Sequence, residues 1–331
     1  MASLAVICER CNRRSKPDFW KRHEEPFEWI PSNHPNSKGG GWHQVSVGVL
    51  CECGAVNNLP LKVIDLHRNL FLFGDEAFRG DEGSGLFVGV YSLIGSTSDP
   101  IKDVENLLRK LKRDIAPNKE PDSWTIHAAQ MVSGQQRVKH PQYRDFNRDT
   151  VETLFAECAN LISQLGQWGW NKCITTVYQL GNHSKDDRKK IRRSLNRGLF
   201  LGLVGEAIHS ATAQGLNPHL TFDAQSSSAP ARGEEGWANA AFYGSRHYLG
   251  HLFITHSNEV HAPRFVQPGS QPLLELADIH AFHVARAMWQ RSHGQEPDRG
   301  IPQFGQFRYL SFRGERMLTH TGIDVPNSFI R

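Results

Sequence analysis

Three aspartates lie in similar apolar surroundings, and together they could hold metal ions. Asp75 and Asp223 each end a short apolar run that is predicted to be a strand. Asp278 lies within an apolar helical pattern, and Glu275, three residues before it, projects from the same face. An acid among apolar neighbours costs free energy unless it is paired or binds a cation. If the strands are neighbours and the helix packs on them, the aspartates converge and favour Mg²⁺ or Mn²⁺.

Convergent carboxylates of this kind suit one class of reaction in particular. Two such ions, about 3.5–4 Å apart, can activate a water and stabilise the leaving oxygen in phosphodiester hydrolysis. Glu76 directly follows Asp75, and His127 ends a short extended segment that begins at Trp124. On the residues alone, the acids are either a metal-bound site or scattered, solvated strand ends. His127 is likewise either part of the site or a structural histidine.

Four of the six cysteines occur as two close pairs, which indicates a second kind of metal site. Cys8 and Cys11 form a CxxC motif, and Cys51 and Cys53 form a CxC motif. Four thiolates from two tight turns suit tetrahedral, structural Zn²⁺. A strand-like segment over residues 44–50 leads into the second pair, as in a zinc ribbon. The alternative is four unrelated thiols in a reduced protein.

The residues next to these cysteines are consistent with ligand turns. Asn12 and Gly54 follow the second cysteine of each pair, and both residue types tolerate the positive φ that such turns need. His34 and His43 lie between the pairs and could replace one cysteine as a ligand. Without a metal, this segment has too little core to fold alone.

The elements that must position these residues alternate between strand and helix patterns. This alternation predicts an α/β fold, a sheet with helices on it, preceded by a small zinc-ribbon-like module. The module covers residues 1–65 and the α/β domain covers residues 66–331. Strands are predicted near 70–73, 86–94, 173–178, 219–223 and 252–255, and helices over 99–115, 149–165, 185–213, 234–248 and from 272 to about 289.

Composition excludes some classes of protein. Among 331 residues, 39% are hydrophobic and 22% are charged, which indicates a folded chain. No apolar run approaches the ~20 residues of a membrane helix, and the first seven residues lack the basic start of a secretory signal. We therefore expect a cytoplasmic protein without a membrane segment.

A net charge of +4 permits a polyanionic partner. The helix predicted over 185–213 begins with a basic stretch that includes Arg188, Lys189, Arg192 and Arg193. This stretch either tracks a nucleic-acid backbone or is a solvated face.

The order of four segments resembles the domain-of-unknown-function 3800 family. The segments are Phe73-Gly74-Asp75-Glu76, Trp124-Thr125-Ile126-His127, Phe222-Asp223-Ala224-Gln225 and Leu274-Glu275-Leu276-Ala277-Asp278. The last of these is the most specific, and the resemblance spans roughly residues 70–289. Ala77 and Phe78 depart from it because the family has Ser-Gly there. Glu275 is a second departure, because the family has a glutamine at this position. The glutamate adds either a metal ligand or a surface charge.

The resemblance implies a ribonuclease H-like fold, in which a mixed sheet is flanked by helices, and a metal-dependent nuclease acting on RNA or DNA. Asp75, Asp223 and Asp278 would be the Mg²⁺ or Mn²⁺ ligands. Glu76 would be a ligand or base, and His127 would contact the scissile phosphate or transfer a proton. A non-catalytic nucleic-acid-binding or scaffold subunit, with a protein partner or a second copy, is the alternative, and a hydrolase of another phosphoester is a third hypothesis. Families of this kind are often encoded beside defence genes, which raises a role in phage defence.

Overall fold

The computed structural model describes eleven stretches of the chain: 6–15, 28–31, 42–60, 68–80, 85–167, 170–180, 183–212, 214–223, 263–267, 269–298 and 300–312. The strand predicted at 252–255, the helix predicted at 234–248 and His34 lie outside these stretches. The chain divides into two compact units. One contains the described residues up to Asn69 together with 208–218, and the other contains the remaining described residues.

The first unit contains short antiparallel strands around the cysteine pairs. These strands are β1 (Val6–Ile7), β2 (Arg14–Ser15), β3 (Glu28–Pro31), β4 (Trp42–Leu50) and β5 (Val56–Pro60). The β1–β2 hairpin encloses the CxxC motif, and β4 pairs with both β3 and β5. Because β4 ends immediately before Cys51, the predicted strand into the second pair is confirmed.

The α/β unit is built on a six-stranded mixed sheet. Its strands are β6 (Arg68–Gly80), β7 (Leu86–Ser96), β8 (Lys172–Gln179), β9 (Leu216–Asp223), β10 (Arg264–Val266) and β11 (Arg308–Ser311). Their spatial order is β10-β9-β6-β7-β8-β11. The pairs β6–β7 and β7–β8 are antiparallel, whereas β9–β10 and β8–β11 are parallel.

Six α-helices accompany the sheet in the described part of the chain. They are α1 (Ser98–Ile115), α2 (Ala128–Met131), α3 (Gly134–Lys139), α4 (Arg148–Gly166), α5 (Lys185–Thr212) and α6 (Pro272–Ser292). The N-cap of α1 is Thr97, and Asp99 lies in the first turn, where an acid favours the helix dipole. The N-cap of α4 is Asn147, whose side chain accepts a hydrogen bond from the Thr150 N–H.

Helices cover both faces of this sheet. Phe73 and Ile94 pack in one core cluster with apolar residues of α1, α4 and α6. On the opposite face, Tyr91 and Phe222 pack against Phe200 of α5. The predicted α/β class, with a mixed sheet flanked by helices, is therefore confirmed. No helix in the described stretches has the length and apolar character to cross a membrane.

Strand β6 differs from the prediction that it ends at its carboxylates. Asp75 lies in the middle of β6, opposite Ser92 of β7, and pairing continues to Gly80. The ring of Phe78 stacks on Phe87, with 5.8 Å between the ring centroids. An apolar side chain with a cross-strand aromatic partner favours continued pairing. This explains why the two residues that depart from Ser-Gly extend the strand.

Candidate active site: a carboxylate cleft

Three aspartates from distant segments line one cleft of about 440 Å³ in the α/β unit. Asp75 comes from the middle of β6, Asp223 from the last residue of the neighbouring β9, and Asp278 from the second turn of α6. His127, the N-cap residue of α2, lines the same cleft. Glu76 and Glu275 line it as well, so the structure brings together all six residues that were predicted to form the site.

Strand alternation explains why two of the aspartates share a face. Phe222 packs on the α5 face, so the next residue, Asp223, lies on the α6 face. Glu76 is opposite Tyr91, which also packs toward α5, so the neighbouring Asp75 lies on the α6 face.

The same alternation separates Glu76 from the aspartates. Its side chain leaves the strand on the other face, although its charge still raises the pKa of Asp75 after the larger effects of burial and Asp278. Its backbone N–H donates to Asp75 Oδ1 at 2.8 Å. Glu76 nevertheless lines the cleft. Its role as a metal ligand or base therefore stays a prediction, although its side chain leaves the strand on the other face from those of the aspartates.

The aspartates repel one another across the cleft, at a cost in electrostatic free energy. Burial, and then the charges of Asp278, Glu76 and Asp223, keep the pKa of Asp75 well above its ordinary value. Burial and Asp278 raise the pKa of Asp223 to about 6, against the opposing effect of His127. Mutual repulsion of this kind is relieved by a cation between the carboxylates.

One oxygen in the cleft fits a cation particularly well. Asp223 Oδ1 is buried and has no hydrogen-bond partner among the described residues. An unpaired buried carboxylate oxygen is costly, and hard divalent cations prefer such oxygens as ligands. The donor set therefore suits Mg²⁺ or Mn²⁺.

Asp278 is oriented by the segment that carries His127. Its Oδ2 accepts a hydrogen bond from the Ala128 N–H at 2.7 Å and lies 3.2 Å from His127 Nδ1. Both contacts fall on one oxygen, so Oδ1 is the oxygen left for a cation. The hydrogen bond to Asp278 raises the pKa of His127 above its ordinary value, despite opposing burial.

Glu275 has a different role from the one predicted. Its side chain is 4% exposed, and its oxygens accept hydrogen bonds from Lys112 Nζ at 3.0 and 3.1 Å and from the Ile126 N–H at 2.8 Å. Burial raises the pKa of Glu275 to about 7, and Lys112 opposes that rise. The cation beside Glu275 is therefore an ammonium group. We correct its predicted role as a catalytic or metal-binding residue to one of positioning the 124–128 segment.

Sequence reasoning missed Lys112, although a signal was present. Lys112 continues the buried stripe of α1 at helical spacing after Val104 and Leu108. It also donates to the carbonyl of Trp124, so it contacts both α6 and the extended segment. A lysine on the apolar stripe of a helix implies a buried acid partner elsewhere.

The cysteine cluster in the first unit has the geometry of a tetrahedral metal site. The Sγ atoms of Cys8, Cys11, Cys51 and Cys53 all lie within 4.8 Å of one another. Two of the separations, Cys8 to Cys53 and Cys11 to Cys51, are 3.6 and 3.5 Å. Tetrahedral Zn²⁺ with bonds of ~2.3 Å places its sulfurs roughly 3.8 Å apart. Four thiols complete this set, so the geometry does not require a histidine ligand.

The turns that hold the cysteines have the predicted backbone. Asn12 has a φ of 55° and Gly54 has a φ of 80°. Each turn is closed by a backbone hydrogen bond, from Asn12 N–H to Cys8 O and from Gly54 N–H to Cys51 O. His43, which was predicted as an alternative ligand, belongs to β4.

The predicted nucleic-acid-binding residues do not lie at the cleft. Arg188, Lys189, Arg192 and Arg193 belong to α5, which covers the opposite face of the sheet from α6. The guanidinium of Arg192 lies 6.0 Å from the ring centroid of Phe87. Lys189 and Arg193 are exposed. The structure therefore separates this basic stretch from the aspartates.

No family model, curated protein or solved structure matches this chain. The functional conclusion therefore depends on the residues of the cleft.

Proposed function

We propose that the chain is a metal-dependent nuclease with a ribonuclease H-like fold, hydrolysing phosphodiester bonds of RNA or DNA. Asp75, Asp223 and Asp278 would hold Mg²⁺ or Mn²⁺. The observation that carries the proposal is the convergence of these three aspartates in one cleft, where Asp223 Oδ1 is buried without a partner. All four segments that carry the family resemblance contribute to this cleft, which supports the proposed fold.

When bound, the metal would supply a Lewis acid for the phosphate and an activated water. His127 is suited to act on the phosphate beside it, because its side chain is 46% exposed and it is held by Asp278. Its raised pKa favours the imidazolium, which can donate a proton to the leaving oxygen or bind a phosphate oxygen. Gln130 and Gln142 line the same cleft and offer amide groups to a bound substrate.

The size of the cleft is compatible with this substrate class. Its volume of about 440 Å³ falls within the roughly 300–1,000 Å³ of small-ligand pockets, which is enough for one nucleotide of a longer strand. We also propose structural Zn²⁺ at the cysteine cluster, because the sulfur separations fit that ion.

The proposal is tested by titrating Mn²⁺ against single- and double-stranded RNA and DNA. We expect metal-dependent cleavage of at least one of these, and a loss of about 10³-fold or more in Asp75→Asn and Asp278→Asn. Asp103→Asn is the matched control, because Asp103 is an exposed acid of α1.

Cleavage retained in Asp75→Asn, or cleavage that does not depend on a divalent metal, would overturn the assignment. Binding of nucleic acid with no cleavage at any metal concentration would instead favour the non-catalytic alternative.

A further inference from the structure

A second cavity in the α/β unit, of about 420 Å³, is rich in arginine. Arg137, Arg148 and Arg286 line it, and the buried His283 forms part of its wall. Arg286 lies two turns beyond Asp278 on α6, which is ~12 Å along the helix axis. The cavity is therefore separate from the carboxylate cleft but within reach of the same extended ligand.

His283 is unusual because it lacks the contacts that a buried histidine normally makes. It is 0% exposed, and neither ring nitrogen has a hydrogen-bond partner among the described residues. Its ring makes an edge contact with Phe155, with 4.9 Å between the ring centroids. Burial, with Arg286 and Arg79 nearby, lowers the pKa of His283 to about 3, so the ring is neutral and keeps one N–H donor.

The same helix offers a direct comparison. His280 is equally buried, and both of its nitrogens have partners, Ser92 Oγ at 2.8 Å and Tyr309 Oη at 3.1 Å. His280 therefore has the contacts of a structural histidine. Buried polar atoms in proteins almost always have partners. The missing partners of His283 therefore point to a ligand.

The charges around His283 indicate the sign of that ligand. Arg148 pairs with Glu152, and Arg286 pairs with Asp298. Arg137 donates to the carbonyl of Met131 and has no acidic partner in the described stretches.

Arg79 adds a further positive charge beside the cavity. Its guanidinium lies 4.9 Å from the ring centroid of Phe282. Its pKa is lowered by burial and then by the positive charge of Arg286. Three arginines therefore line the cavity against two acids, Glu152 and Asp298, and Arg79 adds to the positive charge that acts on His283. This balance favours an anion.

We infer that this cavity binds a phosphate group, with the His283 N–H and the guanidiniums of Arg137 and Arg286 as donors. Guanidinium groups bind phosphate through several parallel hydrogen bonds. The phosphate could belong to a nucleic-acid strand or to a free phosphorylated ligand. One strand of a duplex carries a charge every ~3.4 Å, so a distance of ~12 Å corresponds to roughly three or four nucleotides from the metal site. Only the assignment to a strand rests on the proposed nuclease function.

The test uses the full chain with ¹⁵N-labelled histidine, without added Mg²⁺ or Mn²⁺, titrated with inorganic phosphate at constant ionic strength. We expect the His283 ring nitrogens, assigned with His283→Phe, to shift with a dissociation constant of about 1–10 mM. Arg286→Gln should weaken binding about tenfold, and Arg144→Gln, an exposed arginine outside the cavity, by less than about twofold. If His283→Phe does not fold, the comparison of phosphate affinity between the wild type and Arg286→Gln still tests the inference.

His283 resonances that do not move at ~100 mM phosphate, or that move equally with chloride, would overturn the inference. A single-stranded oligonucleotide that shifts His283 at lower concentration than phosphate would identify a strand as the source. A response to inorganic phosphate alone would identify a free phosphorylated ligand. Because no divalent metal is added, a failure of the proposed nuclease activity would leave the phosphate result unaffected.

Discussion

The cysteine cluster and the carboxylate cleft both fit cations, but they are assembled on different scales. The four cysteines come from two tight turns, each closed by its own backbone hydrogen bond. The three aspartates come from two neighbouring strands and a helix that packs on them. In the first case the ligands and their local turns define the site. In the second case the site exists only after the sheet has formed.

This difference extends to the surrounding core. Among the described side chains before residue 61, Cys8, Cys51 and Asn57 are buried, whereas Ile7 and Val56 are 65% and 47% exposed. The cleft, by contrast, lies beside a large apolar cluster formed by the sheet, α1, α4 and α6. A metal should therefore be needed for folding in the first unit and only for chemistry in the second.

Removal of the metal from the cysteine cluster should have the largest effect. Binding of structural Zn²⁺ contributes ~10–16 kcal/mol to the folding of small zinc modules, and the first unit has little apolar core to replace it. We expect one zinc per chain by elemental analysis. We also expect Cys8→Ser or a strong chelator to abolish the backbone NMR dispersion of residues 6–15 and 42–60.

Asp75→Asn is the matched comparison for this experiment, because it alters the other candidate site. It should keep the full zinc content and the dispersion of the first unit. If the module stays folded without any metal, the proposed contrast between the two sites fails.

Asp223→Asn should separate chemistry from stability in the cleft. The variant removes a buried charge that is repelled by Asp278, so the free energy of unfolding without metal should stay unchanged or rise by about 1 kcal/mol. Cleavage should fall by about 10³-fold, because one oxygen ligand is lost. Urea denaturation measures the first effect and a cleavage assay with Mn²⁺ measures the second, while electron paramagnetic resonance of bound Mn²⁺ checks the loss of the ligand. Asp223→Ala is the comparison, because it also removes the shape of the side chain. If Asp223→Asn lowered the free energy of unfolding as much as Asp223→Ala, Asp223 would be a structural residue.

The extent of sequence prediction also differs between the two sites. The quartet of cysteines and the positive φ of Asn12 and Gly54 follow from local spacing, and the structure agrees with both. The α/β class and the convergence of the aspartates could also be anticipated from apolar patterns and segment order. Strand polarity could not be anticipated from the apolar patterns, because an apolar run has the same pattern in either direction.

Long-range pairing accounts for the predictions that the structure corrects. Glu275 and Asp278 lie three residues apart on one face of α6, so their spacing does not distinguish them. Only Glu275, however, is adjacent to Lys112. Spacing alone does not show which helix will supply that lysine. Strand alternation also places the side chains of Asp75 and Glu76 on opposite faces of β6, once β6 is recognised as continuing past the carboxylates.

The buried Lys112–Glu275 pair provides a third case, in which an acid is neutralised by a side chain and not by a metal. Lys112→Met should lower the free energy of unfolding by about 3 kcal/mol, because it leaves Glu275 buried and unpaired. Glu275→Gln should cost about 1 kcal/mol, since its amide oxygen can still accept from the Ile126 N–H. The double variant should be more stable than Lys112→Met alone.

Urea denaturation with and without Mn²⁺ distinguishes this role from metal binding. Mn²⁺ should not restore the stability of Lys112→Met, because the carboxylate of Glu275 is directed to the 124–128 segment. Restoration by Mn²⁺ would return Glu275 to the set of metal ligands.

The smallest expected effect tests whether the cysteine turns are as local as they appear. Gly54 has a φ of 80°, and a Cβ added there would have no neighbour within 4 Å, so Gly54→Ala changes only backbone strain. That strain is about 1 kcal/mol, which corresponds to roughly fivefold weaker zinc binding because folding and binding are coupled. Zinc competition with a chromophoric chelator measures the change.

Gly294 supplies a matched control in the α/β unit, since it has a φ of 70° and the same open surroundings. Gly294→Ala should carry a similar strain of about 1 kcal/mol and leave zinc affinity unchanged. If both variants bind zinc as tightly as the wild type, the ligand turn does not depend on its left-handed residue. If both weaken zinc binding equally, the cysteine site is coupled to the rest of the chain and is not local.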